Sequence, residues 1–260
     1  MTDASNFYAF DEIQPGVLQL AIVNAGKANV LSSAIIESLI AGIKSVSQRT
    51  DLRTLIITGS GDKTFIGGAD INEMVTLDEH SGVQFITRLR DLCESLRRLH
   101  VPVVARIQGW CLGGGLELAM ACDIRVAASS AQFAMPEVKV GIPSVIHAAM
   151  MPRLIGSARA RWLILTGATI DAAAALQWGL IDVVADANGL DAAVAAAIAP
   201  ILECGPAVIA QQKELMYSWD ELPLSAAIEN SIAAFGKSFE TGEPQRYMQH
   251  FIDRKRGADK

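Results

Sequence analysis

A chain of 260 residues with 51% hydrophobic and 19% charged residues carries enough apolar material for a sizeable buried core, which excludes a disordered protein. Its formal net charge of −6 speaks against a general nucleic-acid binder, which needs a density of Lys and Arg to displace counterions; an anionic small ligand held by a few local groups stays open. Cys93, Cys111, Cys122 and Cys204 form no CxxC pair and read as reduced, mostly buried thiols. No apolar run approaches a membrane span, and the start Met1-Thr2-Asp3-Ala4 lacks a basic region followed by an apolar stretch. A soluble, cytoplasmic protein is the expectation.

In chain order, residues 17–23 read as a strand with Leu18, Leu20 and Ile22 on one face. Ser32 and Ser33 can cap a helix whose Ile36, Leu39, Ile40, Ile43 and Val46 form one apolar stripe. A buried strand, Leu55 to Thr58, ends at Gly59. Phe85, Leu89, Leu92, Leu96 and Leu99 then recur at steps of four and three, as an amphipathic helix requires. Residues 101–107 form a further apolar strand, with Pro102 confined to its start. From about residue 144 the pattern turns helical, punctuated at Gly156, Gly167 and Gly179, and only Leu180 to Val184 resembles a strand. No Ser/Pro/Gly-rich linker separates the strand-rich part from the helical part, which predicts one fold with a helical appendage.

One internal echo bears on function. Residues 65–71 (FIGGADI) resemble 112–118 (LGGGLEL): each has an apolar residue, then glycines, then an acid flanked by apolar residues, and each follows a strand. Asp70 and Glu117 lie 47 positions apart, a spacing typical of stacked strand–helix repeats, whose equivalent loops come side by side. In the second copy, Gly113-Gly114-Gly115 lets the backbone adopt positive φ and approach a ligand closely. The free N–H groups at the start of the following apolar helix suit an anion or a developing oxyanion. Glu117 lies three residues after Gly114 and faces the same side of the first helical turn. The alternative is that the glycines only permit tight helix–strand packing and Glu117 satisfies orphan N–H groups. In the first copy the candidate donor is the N–H of Ala69, although an ordinary turn also fits.

A second acid, Glu137, follows Pro136 and is predicted at a strand or loop edge. Hemmed in by Phe133, Met135, Val138 and Val140, it would have a raised pKa if buried, which suits proton transfer near neutrality. The alternative is a solvated glutamate paired with Lys139. His80, His100, His147 and His250 are isolated and lack metal-ligand spacing; no GxSxG elbow, GxGxxG fingerprint or Walker motif occurs. The basic stretch Arg254-Lys255-Arg256 fits a solvated helix end, and equally a phosphate contact.

The motifs FIGGADI, GWCLGGGLELAMACDIRVA and AQFAMPEVKVGI, in this order, resemble those of the crotonase, or enoyl-CoA hydratase/isomerase, superfamily, and the likeness runs over nearly the whole chain. The resemblance implies an α/β fold of crotonase type: a spiral core of repeated ββα units over residues 1–200 carrying the active site, then a C-terminal helical trimerisation region over 201–260. It implies homotrimers, or dimers of trimers, acyl-CoA substrates of fatty acid metabolism, and an oxyanion hole of two backbone N–H groups. By position those donors are Ala69 and Gly114, and both glutamates of the hydratase members are matched, by Glu117 and Glu137. Lys27 and Ala28, followed by Asn29, fall in the CoA-binding loop. Gly68, Asp70 and Ile71 fall beside the CoA, the last two on its adenine side, and Phe235 and Arg254 align with C-terminal residues that touch CoA.

Two departures from the family pattern stand out. Asn72 occupies the place where many hydratases have a Lys near the CoA phosphates. Residues 141–147 (GIPSVIH) replace a Gly-rich stretch that shapes the acyl pocket and helps hold the water; His147 thereby brings a titratable group near the pocket, or is simply a partly buried helix residue.

The reaction the resemblance implies is reversible hydration of a trans-2-enoyl-CoA to a 3-hydroxyacyl-CoA. The amides of Ala69 and Gly114 polarise the thioester carbonyl. Glu117 as carboxylate deprotonates the water attacking Cβ, and Glu137 as acid delivers the proton to Cα, the joint need for both being firmer than the division of roles. No metal or redox cofactor is required, since coenzyme A is part of the substrate, and neither nucleic acid nor membrane is expected as a partner. The alternatives are a Δ3-Δ2 enoyl-CoA isomerase or another acyl-CoA-acting crotonase, and a non-enzymatic RNA-binding or assembly protein on the same scaffold.

Overall fold

The computed structural model describes residues 7–258. Tyr8–Gln14 (β1) and Val17–Ile22 (β2) form an antiparallel pair with a register irregularity between Glu12 and Gln14. β1 has no sequence signature because it is an edge strand, half-buried at one end and exposed at the other. Ser33–Val46 (α1) starts where its stripe predicts: the Ser32 hydroxyl caps the Ile35 N–H, and Ile35, Ile36, Leu39, Ile43 and Val46 are buried.

Thr54–Gly59 (β3) is buried along its whole length, as a parallel strand covered on both faces must be. The short Thr64–Ile66 (β4), Ile71–Met74 (α2) and Glu79–Arg97 (α3) follow. α3 begins six residues before its first apolar repeat, because Asp78 and Ser81 cap it reciprocally. Val103–Ile107 (β5), Trp110–Leu112 (β6) and Gly114–Met120 (α4) repeat the pattern, and Ile124–Ala128 (β7) with Gln132–Ala134 (β8) begin it again.

From β3 to β8, successive strands therefore alternate between two sheets. The larger has the order β1-β2-β3-β5-β7 and is closed by Val183–Ala185 (β10); the smaller has the order β4-β6-β8 and is closed by Thr169–Asp171 (β9). In both sheets the stacked strands run parallel, and β9 alone joins the smaller sheet antiparallel. β9 escapes sequence reading because three residues of alternating burial, only Ile170 inside, leave no periodic signal.

The sequence echo is borne out as register. β4 and β6 are parallel neighbours, Thr64 against Trp110 and Ile66 against Cys111, so the glycine loops that follow them are stacked. One core packs α1 and α3 against the inward residues Leu20, Ile22, Leu55, Ile57, Val103 and Ala105. The alternate residues Val17, Ile56, Val104 and Val126 face the other way and are covered by Leu190, Val194 and Ile198 of Leu190–Leu202 (α8).

Between β8 and α8 lie two 3₁₀ turns, Glu137–Val140 and Ile146–Met150, and the helices Met151–Ile155 (α5), Ser157–Thr166 (α6) and Ala172–Trp178 (α7). Pro206–Glu221 (α9), Leu224–Ser238 (α10) and Glu243–Ala258 (α11) end the described chain. Lys213 fastens α9 to the core. It is 5% exposed, and its ammonium donates to the carbonyls of Leu96 and Val101 and to Asp123 at 2.7 Å. Beyond it the helices leave much apolar surface open, including Leu224, Ile232 and Phe235. Cys93, Cys111 and Cys122 are buried and Cys204 is exposed, all free thiols. Among the described residues no single helix is long and apolar enough to cross a membrane, although α8 and α9 pass that test jointly across a bend of 104°.

Candidate active site

Two loops stacked by the β4–β6 register make the floor of the site. In the first, the Gly67 N–H donates to the Ala28 carbonyl at 2.8 Å, the Leu31 N–H to the Gly68 carbonyl at 2.8 Å, and the Asp70 N–H to the Leu31 carbonyl at 3.0 Å. These bonds use the groups on either side of Ala69 and leave its N–H without a protein acceptor among the described residues. In the second, the Gly113 N–H donates to the Ala134 carbonyl at 3.0 Å, and the Gly113 carbonyl receives Leu116 and Glu117. The Gly114 N–H, opening α4, likewise has no protein acceptor among the described residues. A Cβ placed on Gly114 would stand 3.9 Å from the Ala69 nitrogen, so the two open amides are neighbours. The same Cβ would lie 2.9 Å from Leu89 Cδ2, so the glycine lets the Leu89 side chain of α3 pack closely against the loop.

Gly113 has φ +51° and ψ −123°, a conformation reserved for glycine. A Cβ there would be 2.5 Å from Glu137 Oε1. The second glutamate thus lies directly over the glycine loop, although its Cα is on a different turn of the spiral. Glu137 starts a 3₁₀ turn after Pro136 rather than sitting in a strand or loop edge; it is half-buried, and its Oε2 accepts from the Ser144 hydroxyl at 2.9 Å. The expected apolar enclosure is only half present, because Phe133 and Met135 are buried whereas Val138 and Val140 point to solvent. Lys139 is not its partner among the described ion pairs.

The strong burial falls on Glu117 instead. Its residue is 3% exposed, and its Oε1 accepts from the Ala148 N–H at 2.9 Å. Burial is the main cause that pushes its pKa up to about 8; the Ala148 hydrogen bond pulls downward and the nearby charge of Glu137 pushes further up. In the free protein Glu117 is therefore mostly protonated near pH 7, and the carboxylate expected at this position is not its resting form. The structure brings Ala69, Gly114, Glu117 and Glu137 together around one space. Two open donors beside two carboxyls, with the Glu117 carboxyl favoured in its protonated form by burial, can bind a carbonyl oxygen and move protons at the atoms beside it.

The residues expected on the CoA side divide. Lys27 and Ala28 are exposed, and the Ala28–Gly67 bond holds their loop against the Ala69 loop. Asn29, fully buried with φ +47°, clamps that loop by donating to the carbonyls of Ser60, Thr64 and Phe65. Gly68 is buried, and Ile71 is 60% exposed beside the loop. The Asp70 carboxylate caps α2 by accepting from the backbone and side chain of Asn72, so the departure at 72 is engaged locally. Phe235 and Arg254 are not brought to this space by any described hydrogen bond or ion pair. Phe235 is 68% exposed on α10, packed edge-on to Phe239, and Arg254 is exposed on α11.

Sequence reasoning missed Ser144 and the Ala148 N–H, the partners of the two acids. A backbone amide leaves no signature in residue type, and the Ser144 loop has no periodicity. His147 is 6% exposed in the turn Ile146–Met150, its Nε2 3.0 Å from Glu94 Oε1.

A spiral of ββα turns that stacks two glycine loops, with paired amides under paired glutamates, defines the class of protein. The profile of the family described as "Enoyl-CoA hydratase/isomerase" matches residues 12–258. The chain is 31% identical over 243 residues to a short-chain-enoyl-CoA hydratase of Clostridium acetobutylicum, covering 93% of each, and 32% identical over 241 residues to a crotonyl-CoA hydratase of Syntrophomonas wolfei, covering 92% and 93%. A crystal structure of an enoyl-CoA hydratase from Bacillus anthracis superposes with a TM-score of 0.91 at 30% identity, over 96% of this chain and 97% of that one. The chain belongs to the enoyl-CoA hydratase/isomerase family and has the crotonase fold.

Proposed function

We propose that the protein catalyses the reversible hydration of a trans-2-enoyl-CoA to the 3-hydroxyacyl-CoA. The observation that carries this reading is the pairing of two acceptor-free amides, Ala69 and Gly114, with two glutamates in one space. The amides grip the thioester oxygen and stabilise the enolate-like charge that grows on it; such a donor is worth roughly 3–4 kcal/mol. The glutamates act as a unit holding one proton. The acid member gives its proton to Cα while the base member takes one from the water that adds to Cβ, so each turnover leaves the proton on the other carboxyl. In the resting protein burial keeps it on Glu117. Lys27, Ala28, Gly68, Asp70 and Ile71 serve the CoA moiety.

The test is a panel of 2-enoyl-CoA and 3-enoyl-CoA esters of graded length, followed by loss of the conjugated thioester absorbance and by product analysis. Hydration of 2-enoyl esters to 3-hydroxyacyl products is expected. Migration of the double bond without water addition would assign the site to an isomerase, and salt-sensitive RNA binding without any turnover would assign the scaffold to a binding role.

We further propose that residues 201–260 form an oligomerisation region and that the protein is a homotrimer or a dimer of trimers. Trp219, Leu222, Leu224, Ile228, Ile232 and Phe235 line one open apolar groove on α9 and α10, a contiguous exposed apolar patch of the kind that marks an interaction surface. An assembly also gives Phe235 and Arg254, both exposed on the C-terminal helices, a route to a neighbour's CoA. Light scattering is expected to give three or six times the 27.7 kDa chain mass; a monomer in dilute solution would rule the assembly out.

A further inference from the structure

The hydrogen bond from Ala148 to Glu117 depends on a turn that is under strain. Ile146, a β-branched residue, has φ +38°, and it opens the turn that presents the Ala148 N–H, which is shared between Glu117 Oε1 and the Val145 carbonyl, each at 2.9 Å. A strained turn keeps its shape only where its surroundings over-determine it, and the residue between these two is His147. Its ring is buried, with Nε2 on Glu94 Oε1 at 3.0 Å. Glu94 is itself fixed: it accepts from Arg97 at 2.8 Å, from Arg98 at 3.1 Å and from the Tyr217 hydroxyl at 3.2 Å, and Arg97 reaches Asp220 and Glu221 on α9. Partial burial alone would raise the Glu94 pKa, but the hydrogen bonds from Arg97, Arg98 and His147 outweigh it and hold it at about 2.

For His147 burial is the larger effect and lowers its pKa despite the pull of Glu94, so near pH 7 the ring is neutral and donates through Nε2–H. Nδ1 is then left buried with no partner among the described residues. An apolar side chain would fill the same space without that unpaired atom, so packing gives no reason for a histidine here; the donor to Glu94 does.

We propose that His147 is a positioning residue for Glu117: its ring, clamped to Glu94, holds the Ile146–Met150 turn so that the Ala148 N–H stays on the Glu117 carboxyl. The inference rests on the acid–base reading of Glu117 given above. His147 does not touch the reacting atoms in this account; it acts through one backbone amide.

His147→Leu keeps the volume and removes the donor. It is expected to lower kcat for crotonyl-CoA about 10–100-fold with KM within about twofold, as a small misplacement of a reacting group does. It is also expected to move the limb of the pH profile carried by Glu117 about one unit to higher pH, because the lost amide bond favours the ionised carboxyl. His147→Gln, whose amide can reach Glu94, is expected to restore most of both. His147→Asn, polar but too short, replaces the Leu variant if that chain does not fold, with the same expected losses. A ¹³C-carboxyl titration of Glu117, assigned by its disappearance in Glu117→Gln, reads the same shift without turnover. An unmoved Glu117 titration in a folded Leu or Asn variant overturns the proposal, as does an equal loss of kcat in the Gln and Leu variants. A wild-type protein that hydrates no 2-enoyl ester defeats the hydratase reading, and the carboxyl titration then decides the positioning role by itself.

Discussion

Glu117→Gln and Glu137→Gln are each expected to lower hydration of crotonyl-CoA about 10²–10⁴-fold, the usual worth of a placed general acid or base, while affinity for 3-hydroxybutyryl-CoA stays within a few-fold. Each amide is close to isosteric with the acid it replaces. At position 117 its oxygen can still accept from Ala148, so the change removes a proton site and little else. Near-normal turnover in either variant, measured by stopped-flow absorbance, excludes a scheme that needs both acids.

The same Glu117→Gln variant is expected to gain stability as it loses activity. The folded-state pKa of Glu117 is raised from 4.5 to about 8. Folding is therefore unpenalised below the unfolded pKa of about 4.5 and loses stability as pH rises from there through about 8. At 1.36 kcal/mol per unit the full penalty is roughly 3–5 kcal/mol, and the Gln variant escapes it. Urea unfolding at pH 8.5 is expected to show the variant more stable by about that amount, with the two proteins converging as pH falls toward 5. A gap that does not depend on pH would show that Glu117 does not carry its proton in the folded chain. Such a gain marks a residue held against its own solvation for the sake of chemistry.

Gly113→Ala is the second large effect, and it tests the loop rather than the acids. The added methyl would lie 2.5 Å from Glu137 Oε1, at a φ of +51° that alanine adopts only under strain of about 1–3 kcal/mol. Either the loop flattens and re-aims the Gly114 amide, or Glu137 is expelled; both remove a group that the proposed reaction uses. Turnover is expected to fall about 10²-fold or more, with the melting temperature lowered by only a few degrees. A folded, fully active alanine variant would place Glu137 elsewhere in the working protein.

Much of this site was legible because its parts are local. The glycine triplet, the acid three positions after Gly114 and the matching loop at Gly67-Gly68-Ala69-Asp70 are properties of short segments, and their 47-residue spacing is compatible with the stacking that the β4–β6 register shows. What misled was environment. Four apolar neighbours in sequence suggested an enclosed Glu137, yet in a 3₁₀ turn Val138 and Val140 face outward. Glu117, in an apolar helix that reads as ordinary core, is the acid that burial keeps protonated. Phe235 and Arg254 matched a family pattern in sequence, but both are exposed on the C-terminal helices and no described hydrogen bond or ion pair ties them to the site of their own chain.

The sequence by itself determined the alternation of strands and helices and the placement of the two glycine loops, because periodicity and glycine placement are written residue by residue; the crotonase type of fold was read from the likeness of its motifs to those of the family, and the two acids were singled out by the same likeness. Only the tertiary structure decided which acid is desolvated, that the partners of the acids are the Ser144 hydroxyl and the Ala148 N–H, and that a buried His147–Glu94 pair stands behind that amide. Proton affinity depends on the water excluded and the charges faced, and both are set by segments far apart in the chain that meet only when the spiral closes.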